Sequence, residues 1–343
     1  MILIHQSRGT GVGKWQLNKI VSGAGGTTLT LKYNLTNTYT DSGASQAQVI
    51  ELNQYDDLTT GSITAPDWDG SKGGIIAFFD KGTCTVNGTI NLNGNNASGQ
   101  TGSTNGGYSG GNGDYAISAA DYGNYGEGTT GASGVAVNTS ANGNGGGAGY
   151  VPNTSFAGGG GGGGGNASVG SNGGTQFGTG GTGGGAIGVV SLITIFGGGG
   201  GGGGATMEGG NVNQRAGAGG SGGRIVFIFS KEIIISGSIT LNGGSGSVAT
   251  SDTDARGSGG GGAGGSCLLK AEIATLGTTK ITAAAGTGGV DSRANGGNGS
   301  VGRIHLDYSK SYTGTTTPTI NVTLDETIVS PALGGAFMLT NFV

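Results

Sequence analysis

The sequence is poor in the residues that many function classes require. It has two cysteines, four prolines and two histidines among 343 residues, and 10% of its residues are charged. Two cysteines are too few for a disulfide framework or a zinc site, and scarce proline without a Gly-X-Y register excludes collagen. No apolar run approaches the roughly 18 residues of a transmembrane helix. A net charge of −4 gives no electrostatic footprint for nucleic acid.

Glycine is abundant instead, at 86 residues. Each glycine costs about 1 kcal/mol in a helix relative to alanine, so we predict an all-β or extended chain with almost no α-helix. Disordered chains are usually rich in charge, and this one is not. The opening residues, 1–8, lack the basic segment and the long apolar run of a secretory signal.

A repeat follows an N-terminal region of ordinary glycine content. Residues 73–94 and 222–243 share a glycine pair, two apolar strands and the pattern Gly-(Thr/Ser)-Ile-x-Leu-Asn-Gly, and looser copies begin at Gly264 and Val301. Such units cannot bury their apolar face alone. We therefore predict stacked β-strand repeats, solenoid- or sandwich-like.

The chain divides into three parts on this pattern. We predict an N-terminal β-module at 1–72, a glycine-rich domain of β-repeats and polyglycine helices at 73–308, and a Thr-rich linker with an apolar docking tail at 309–343. Within the first part, the alternation of polar and apolar residues over 27–35 predicts a strand with one buried face.

Two runs of eight glycines, 158–165 and 197–204, need a structure that does not depend on side chains. Polyglycine-II helices, which are extended and threefold, make no internal hydrogen bonds and can bond to neighbours around their circumference. Because every buried N–H and C=O needs a partner, we predict a polyglycine-II helix bundle.

These features resemble known surface proteins. The N-terminal Ile4–Gly11, the strand Gly73–Phe79 and the Gly-(Thr/Ser)-Ile-x-Leu-Asn-Gly units look like glycine-rich surface proteins of phages and environmental bacteria. The glycine runs broken by inserts rich in Tyr, Asn and Asp are similar to the tail-fibre tip adhesins of T-even-like phages. That resemblance implies a sandwich of polyglycine helices whose loops bind a bacterial receptor.

Candidate catalytic groups are few. His305 alternates with Ile304 and Leu306 and is expected to face solvent. The Asp67–Asp69 pair, like the other close aspartate pairs, lies in a turn-like stretch and is expected to be solvated. Gly110–Asp114 places its aspartate one position early for a calcium nonapeptide. We predict no enzyme activity, no metal site and no cofactor.

A binding role fits the composition better, because tyrosines set among Ser, Gly and Asn are typical of binding loops; an alternative is that these tyrosines cap the edges of the glycine bundle. The candidate receptor-binding residues are Tyr108, Asn112, Asp114, Tyr115, Tyr122 and Tyr125. Weaker candidate loops are 207–215, 248–256 and 290–295. Candidate docking residues for a partner chain are Phe337, Met338, Leu339 and Phe342.

The sequence thus predicts a non-enzymatic virion surface protein, a phage tail-fibre or tail-tip adhesin that recognises a bacterial receptor, protein or glycan. The alternative is a structural subunit of an extracellular filament or sheath, and a third hypothesis is ice binding. Expected partners are the receptor and further copies or other tail-fibre or filament subunits, without nucleic acid or membrane insertion. The expected location is the virion tail or an extracellular surface.

Overall fold

The computed structural model describes residues 1–99, 101–104, 106–113, 121–136, 138–151, 158–176, 178–206, 215–250, 256–291 and 293–328. Within these ranges the regular structure is β-strand, without helix, which confirms the prediction of an all-β chain. The strands are β1 Ile2–Arg8, β2 Trp15–Asn18, β3 Ile20–Ser22, β4 Thr30–Leu31, β5 Gln46–Glu51, β6 Gln54–Tyr55, β7 Leu58–Thr60, β8 Ile63–Thr64, β9 Ile75–Asp80, β10 Thr83–Val86, β11 Thr89–Asn91, β12 Asp121–Tyr122, β13 Asn124–Tyr125, β14 Gly134–Val135, β15 Tyr150–Val151, β16 Ile225–Phe229, β17 Glu232–Ile235, β18 Ser238–Thr240, β19 Ser266–Thr282, β20 Arg303–Thr317 and β21 Asn321–Leu324.

The largest sheet has twelve strands, which pair in parallel and bring the sequence repeats side by side. Five stretches of chain, 54–64, 75–91, 225–240, 266–282 and 303–317, lie next to one another in chain order. The predicted copies are in register, because Ile75 pairs with Ile225 and Thr89 pairs with Ser238. β21 continues the sheet beyond β20.

Apolar side chains at equivalent positions of the repeats form the main core. Ile90, Ile239 and Ile281 are paired across three neighbouring strands and are fully buried. β16 is buried on both faces: Val226 and Ile228 belong to this core, whereas Phe227 packs in a second cluster with Leu3 and Leu17 of the N-terminal sheet. The second cluster attaches the N-terminal sheet to the repeats.

The N-terminal sheet is smaller than predicted. It is antiparallel, in the order β2-β1-β5, and covers residues 2–51, whereas residues 54–64 pair with the first repeat copy. The prediction of a strand with a buried face over 27–35 was wrong: only Thr30–Leu31 form a strand, and most of that stretch is exposed. No apolar surface of another element covers the apolar residues of this stretch.

The glycine-rich stretches lie side by side and are joined through backbone hydrogen bonds. In the stretch 197–206, Gly199, Gly202 and Ala205 donate to carbonyls of 159–165, and the residues between them donate to carbonyls of 124–127 and 217–223. Its carbonyls accept N–H groups from three further stretches, around 111, 146–149 and 257–263. This stretch therefore bonds to six neighbours and returns to the same neighbour every third residue. The stretches 158–165 and 256–265 also have six neighbours each.

At the glycine positions in the centre of this bundle there is no room for a side chain. A Cβ at Gly161 would lie 2.0 Å from the Gly202 oxygen, and one at Gly199 would lie 1.8 Å from the Asn144 oxygen. Each such Cα–H is thus aimed at a neighbouring carbonyl, in the geometry of a weak Cα–H···O contact. Both eight-glycine runs are buried throughout.

The glycine bundle has two ends. At one end its stretches continue into the large sheet, as 215–224 continues into β16 and 256–265 into β19. We call the opposite end, marked by the bridges of Thr206 to Arg256 and of Arg215 to Thr250, the distal end.

Candidate functional site

Several connections between the glycine-rich stretches meet at or near the distal end. The bridges of Gly159 to Thr175, Tyr150 to Thr179 and Gly257 to Ala294 lie at the same level as those of Thr206 and Arg215. One glycine-rich stretch ends and the next begins here at 113 and 121, at 151 and 158, at 206 and 215, and at 250 and 256. The four candidate loops of the sequence analysis therefore start and end here.

Two tyrosines form a stacked pair at this end. Tyr122 and Tyr150 pair across β12 and β15, and their ring centroids are 4.4 Å apart with planes 23° from parallel. Tyr150 also exchanges backbone hydrogen bonds of 2.9 and 3.0 Å with Thr179. Both rings are half-buried, so their edges remain open to a ligand. Tyr150 was missed from the sequence, although it directly follows the glycine-rich stretch 143–149.

The other predicted residues occupy different places or lie outside the described residues. Tyr125 is half-buried, one threefold repeat inward from Tyr122. Asn112 is exposed, and its side-chain oxygen accepts the N–H of Gly102 at 2.8 Å. Asp114 and Tyr115 lie outside the described residues, as do the docking residues Phe337, Met338, Leu339 and Phe342.

Tyr108 does not offer its ring to a receptor. It is 5% exposed, its ring packs edge-on against Trp68 with centroids 6.0 Å apart, and its hydroxyl donates to the Ser7 carbonyl. Burial raises the pKa of Tyr108, and the nearby Glu127 carboxylate adds to the effect. Its place near the N-terminal sheet, away from the distal end, makes it part of the interior.

Polar and charged side chains share the distal end with the stacked pair. Thr175, Thr179 and Arg215 are exposed. Arg256 Nε lies 2.8 Å from Asp291 Oδ2. The Asp291 side chain is 3% exposed, so the groups offered on this surface are hydroxyl, guanidinium and aromatic, a combination that suits adaptable polar recognition.

The histidines are buried rather than exposed. The expectation that His305 faces solvent was wrong, because both sides of β20 are covered there: its Nε2 lies 2.8 Å from Asp307 Oδ1 and its Nδ1 2.8 Å from Asn321 Oδ1. His5 Nδ1 contacts Ser7 Oγ at 2.9 Å, and burial lowers the pKa of His5 to about 4. The cavity beside His5 and Ser7 measures about 20 Å³, which is room for about one water molecule. His5 and Ser7 therefore have no space beside them for a substrate.

The candidate carboxylates serve local structure. Asp67 pairs with Arg224, and Asp69 accepts the N–H groups of Ser71 and Lys72 at 2.9 Å each, which lowers the pKa of Asp69. Among the described residues there is no group of three His, Cys, Asp or Glu side chains that could hold a metal ion.

Comparison with known proteins adds no relative. No family model, no curated protein and no solved structure matches this chain. Among the residues that the structure describes, no helix is long and apolar enough to cross a membrane.

Proposed function

We propose that the glycine stretches are polyglycine-II helices packed as a bundle, and that the β-repeats stack as a solenoid at its base. The return to the same neighbour at every third residue supports the first part, since a threefold helix presents the same side every three residues. The parallel, in-register pairing of five consecutive stretches supports the second.

We propose further that the protein is a non-enzymatic adhesin of a phage tail fibre or tail tip, and that it binds a bacterial surface receptor through the distal end. The observation that carries this is the meeting of several chain connections at one end of a bundle held by its backbone. Such a bundle holds its loops at fixed spacing, and preorganisation reduces the entropy lost on binding.

Binding to intact bacterial cells tests this proposal. The labelled protein is mixed with a panel of strains and the cell-bound fraction is measured. On a strain that binds the parent, Tyr122→Ala with Tyr150→Ala should lower the bound fraction at least tenfold. Tyr33→Ala is the matched control, because Tyr33 is 55% exposed on the N-terminal part and should bind like the parent. Undiminished binding by the double variant would count against the distal end.

A second candidate function, ice binding, is favoured by a separate observation. One row of small polar residues crosses five parallel neighbouring strands in register: Thr64, Asn91, Thr240, Thr282 and Thr317. Strands in a sheet lie about 4.8 Å apart, so this row repeats regularly on a rigid support. A thermal-hysteresis assay separates the two functions: hysteresis that Thr240→Lys abolishes would favour ice binding, and its absence in the parent would exclude it.

A further inference from the structure

The last long strand of the large sheet has one backbone edge that is only partly paired. β20, Arg303–Thr317, pairs with β19 along its whole length, whereas β21 pairs with its first part, from His305 to Tyr308. In the described part of the chain, no strand pairs with the far side of 312–317, and most of these residues are exposed. We call this edge the open edge. An unpaired strand edge is a template for another strand.

The chain begins a new coil beside the open edge. Three residues, 318–320, separate β20 from β21, and Asn321 then pairs with His305, 16 positions before it. Ile320 and Val322 pack against the main core. The chain thus returns beside its own last stretch and continues along it in the same direction. β21 covers the first part of that stretch and ends at Leu324.

The turn after β21 leads the chain toward the open edge. The N–H of Asp325 donates to the Tyr308 carbonyl at 2.8 Å, just as the N–H of Lys81 donates to the Tyr55 carbonyl at 2.9 Å where β9 ends beside β6. After Lys81 the chain continues as β10, which pairs with β7. Ile328, three residues after Asp325, is 5% exposed. By the same geometry, the chain beyond Ile328 starts at the open edge.

The residues that follow have the pattern of the earlier strands. Residues 328–333 read Ile-Val-Ser-Pro-Ala-Leu, and residues 234–239, which join the end of β17 to the start of β18, read Ile-Ile-Ser-Gly-Ser-Ile. Two aliphatic residues, a serine and a further aliphatic residue therefore recur at the same spacing. Proline is found in sheets mainly on edge strands, where its missing N–H would face solvent, so Pro331 suits an outermost strand.

We propose that the segment 328–334 binds the open edge of its own chain and adds the last strands to the large sheet. The occupant follows from continuity with the β20–β21 pairing, since the segment comes directly after Ile328 and needs no long connection. Its role is that of a cap. Stacked repeats need a terminal unit that ends the stack, and a strand with Pro331 and glycines at 334–335 is a poor template for a further strand.

Cross-linking within the full chain tests this proposal. The match between 328–333 and 234–239 puts Gly334 at the position of Thr240, in the row of paired residues that ends at Thr317. A chain with Thr317→Cys and Gly334→Cys is treated with a short bis-maleimide, which tolerates a shift of one residue in register. An internal cross-link is expected in the monomer, identified by mass spectrometry of its tryptic peptides.

A chain with Thr64→Cys and Gly334→Cys is the matched control. Thr64 is exposed and lies in the same row as Thr317, but at the opposite edge of the sheet, so its internal cross-link should form at least tenfold less. The native Cys84 and Cys267 are buried and do not compete.

Three outcomes would overturn the proposal. The first is equal yields from the two double variants, or no internal cross-link in either. The second is a dimer formed only between Thr317→Cys chains and Gly334→Cys chains, which would place the segment on a second copy. The third comes from residue-resolved hydrogen exchange of the parent. Successive N–H groups of a parallel strand point to its two neighbours in turn, so both N–H groups of 312–313 and of 316–317 should exchange slowly. If one of each pair exchanges as in an unfolded chain, the edge is not covered.

Discussion

Replacing Gly161 by alanine puts one methyl group into the centre of the glycine bundle. Its carbon would lie 2.0 Å from the Gly202 oxygen, whereas C···O contacts in proteins begin near ~3.3 Å, so two stretches must separate by about 1 Å. Gly161 donates to Ser258 at 2.9 Å and accepts from Gly297 at 2.8 Å. Losing a few such bonds at ~1 kcal/mol each, with overpacking of ~1–3 kcal/mol, gives a destabilisation of about 4 kcal/mol.

Thermal unfolding followed by calorimetry measures this effect. With an unfolding entropy of ~2.1 cal/mol/K per residue, Gly161→Ala should lower the melting temperature of the 343-residue chain by about 6 °C. Gly61→Ala is the matched control: nothing lies within 4 Å of its Cβ position, so a gain of ~0.4–1 kcal/mol is expected. If Gly161→Ala melts at or above the parent temperature, the close-packed backbone account is wrong.

Three further predictions concern buried polar groups. Burial lowers the pKa of His5 from 6.5 to about 4, so on acidification the unfolded state is protonated before the folded state. The free energy of unfolding should therefore fall by ~3 kcal/mol between pH 6.5 and 4. In urea unfolding, His5→Gln should make the free energy of unfolding less dependent on pH over this range. Glu127 and Arg8 form an ion pair whose side chains are 3% and 8% exposed. Glu127→Gln breaks this pair and should lower the free energy of unfolding by ~3–5 kcal/mol. Asp56 pairs with Lys81, and its side chain is 88% exposed, so Asp56→Asn should lower the free energy of unfolding by under ~1 kcal/mol. Equal losses of stability for Glu127→Gln and Asp56→Asn would contradict the role of burial. Burial raises the thiol pKa of Cys84 to about 12, so iodoacetamide at pH 8 should modify it only on unfolding, and rapid labelling of the native chain would refute this.

The repeated β-region was predictable because its signal is local and occurs several times. The pattern Gly-(Thr/Ser)-Ile-x-Leu-Asn-Gly aligns Thr89 with Ser238, and the sheet pairs these residues. Parallel strands buried on one or both faces need apolar residues at matching positions. Equal spacing in two copies therefore gives the register directly.

The side chains that were misplaced depend on distant parts of the chain. His305 alternates with apolar neighbours as a surface residue would, but β20 is covered on both faces, and the partner Asn321 belongs to the next strand. Tyr108 sits in a stretch with the composition of a binding loop, yet Trp68 and Ser7 enclose it. Alternation of polar and apolar residues indicates only that successive side chains lie on opposite faces of a strand. Packing against distant parts of the chain decides which of the two faces is buried.

Two kinds of stabilisation occupy different regions of this molecule. In the repeats, apolar side chains such as Ile239 are buried between strands, and a change of size there is felt by the core. In the glycine bundle, the groups that bond are backbone N–H and C=O, so the stretches stay in register whatever sequence joins them at the distal end. Ala205, Ala218 and Ala263 are fully buried in the bundle, but its close backbone contacts leave no room for the larger aliphatic side chains at 187–193. The position of these side chains at the junction between the large sheet and the glycine bundle is consistent with an interface rather than with a displaced part of the core.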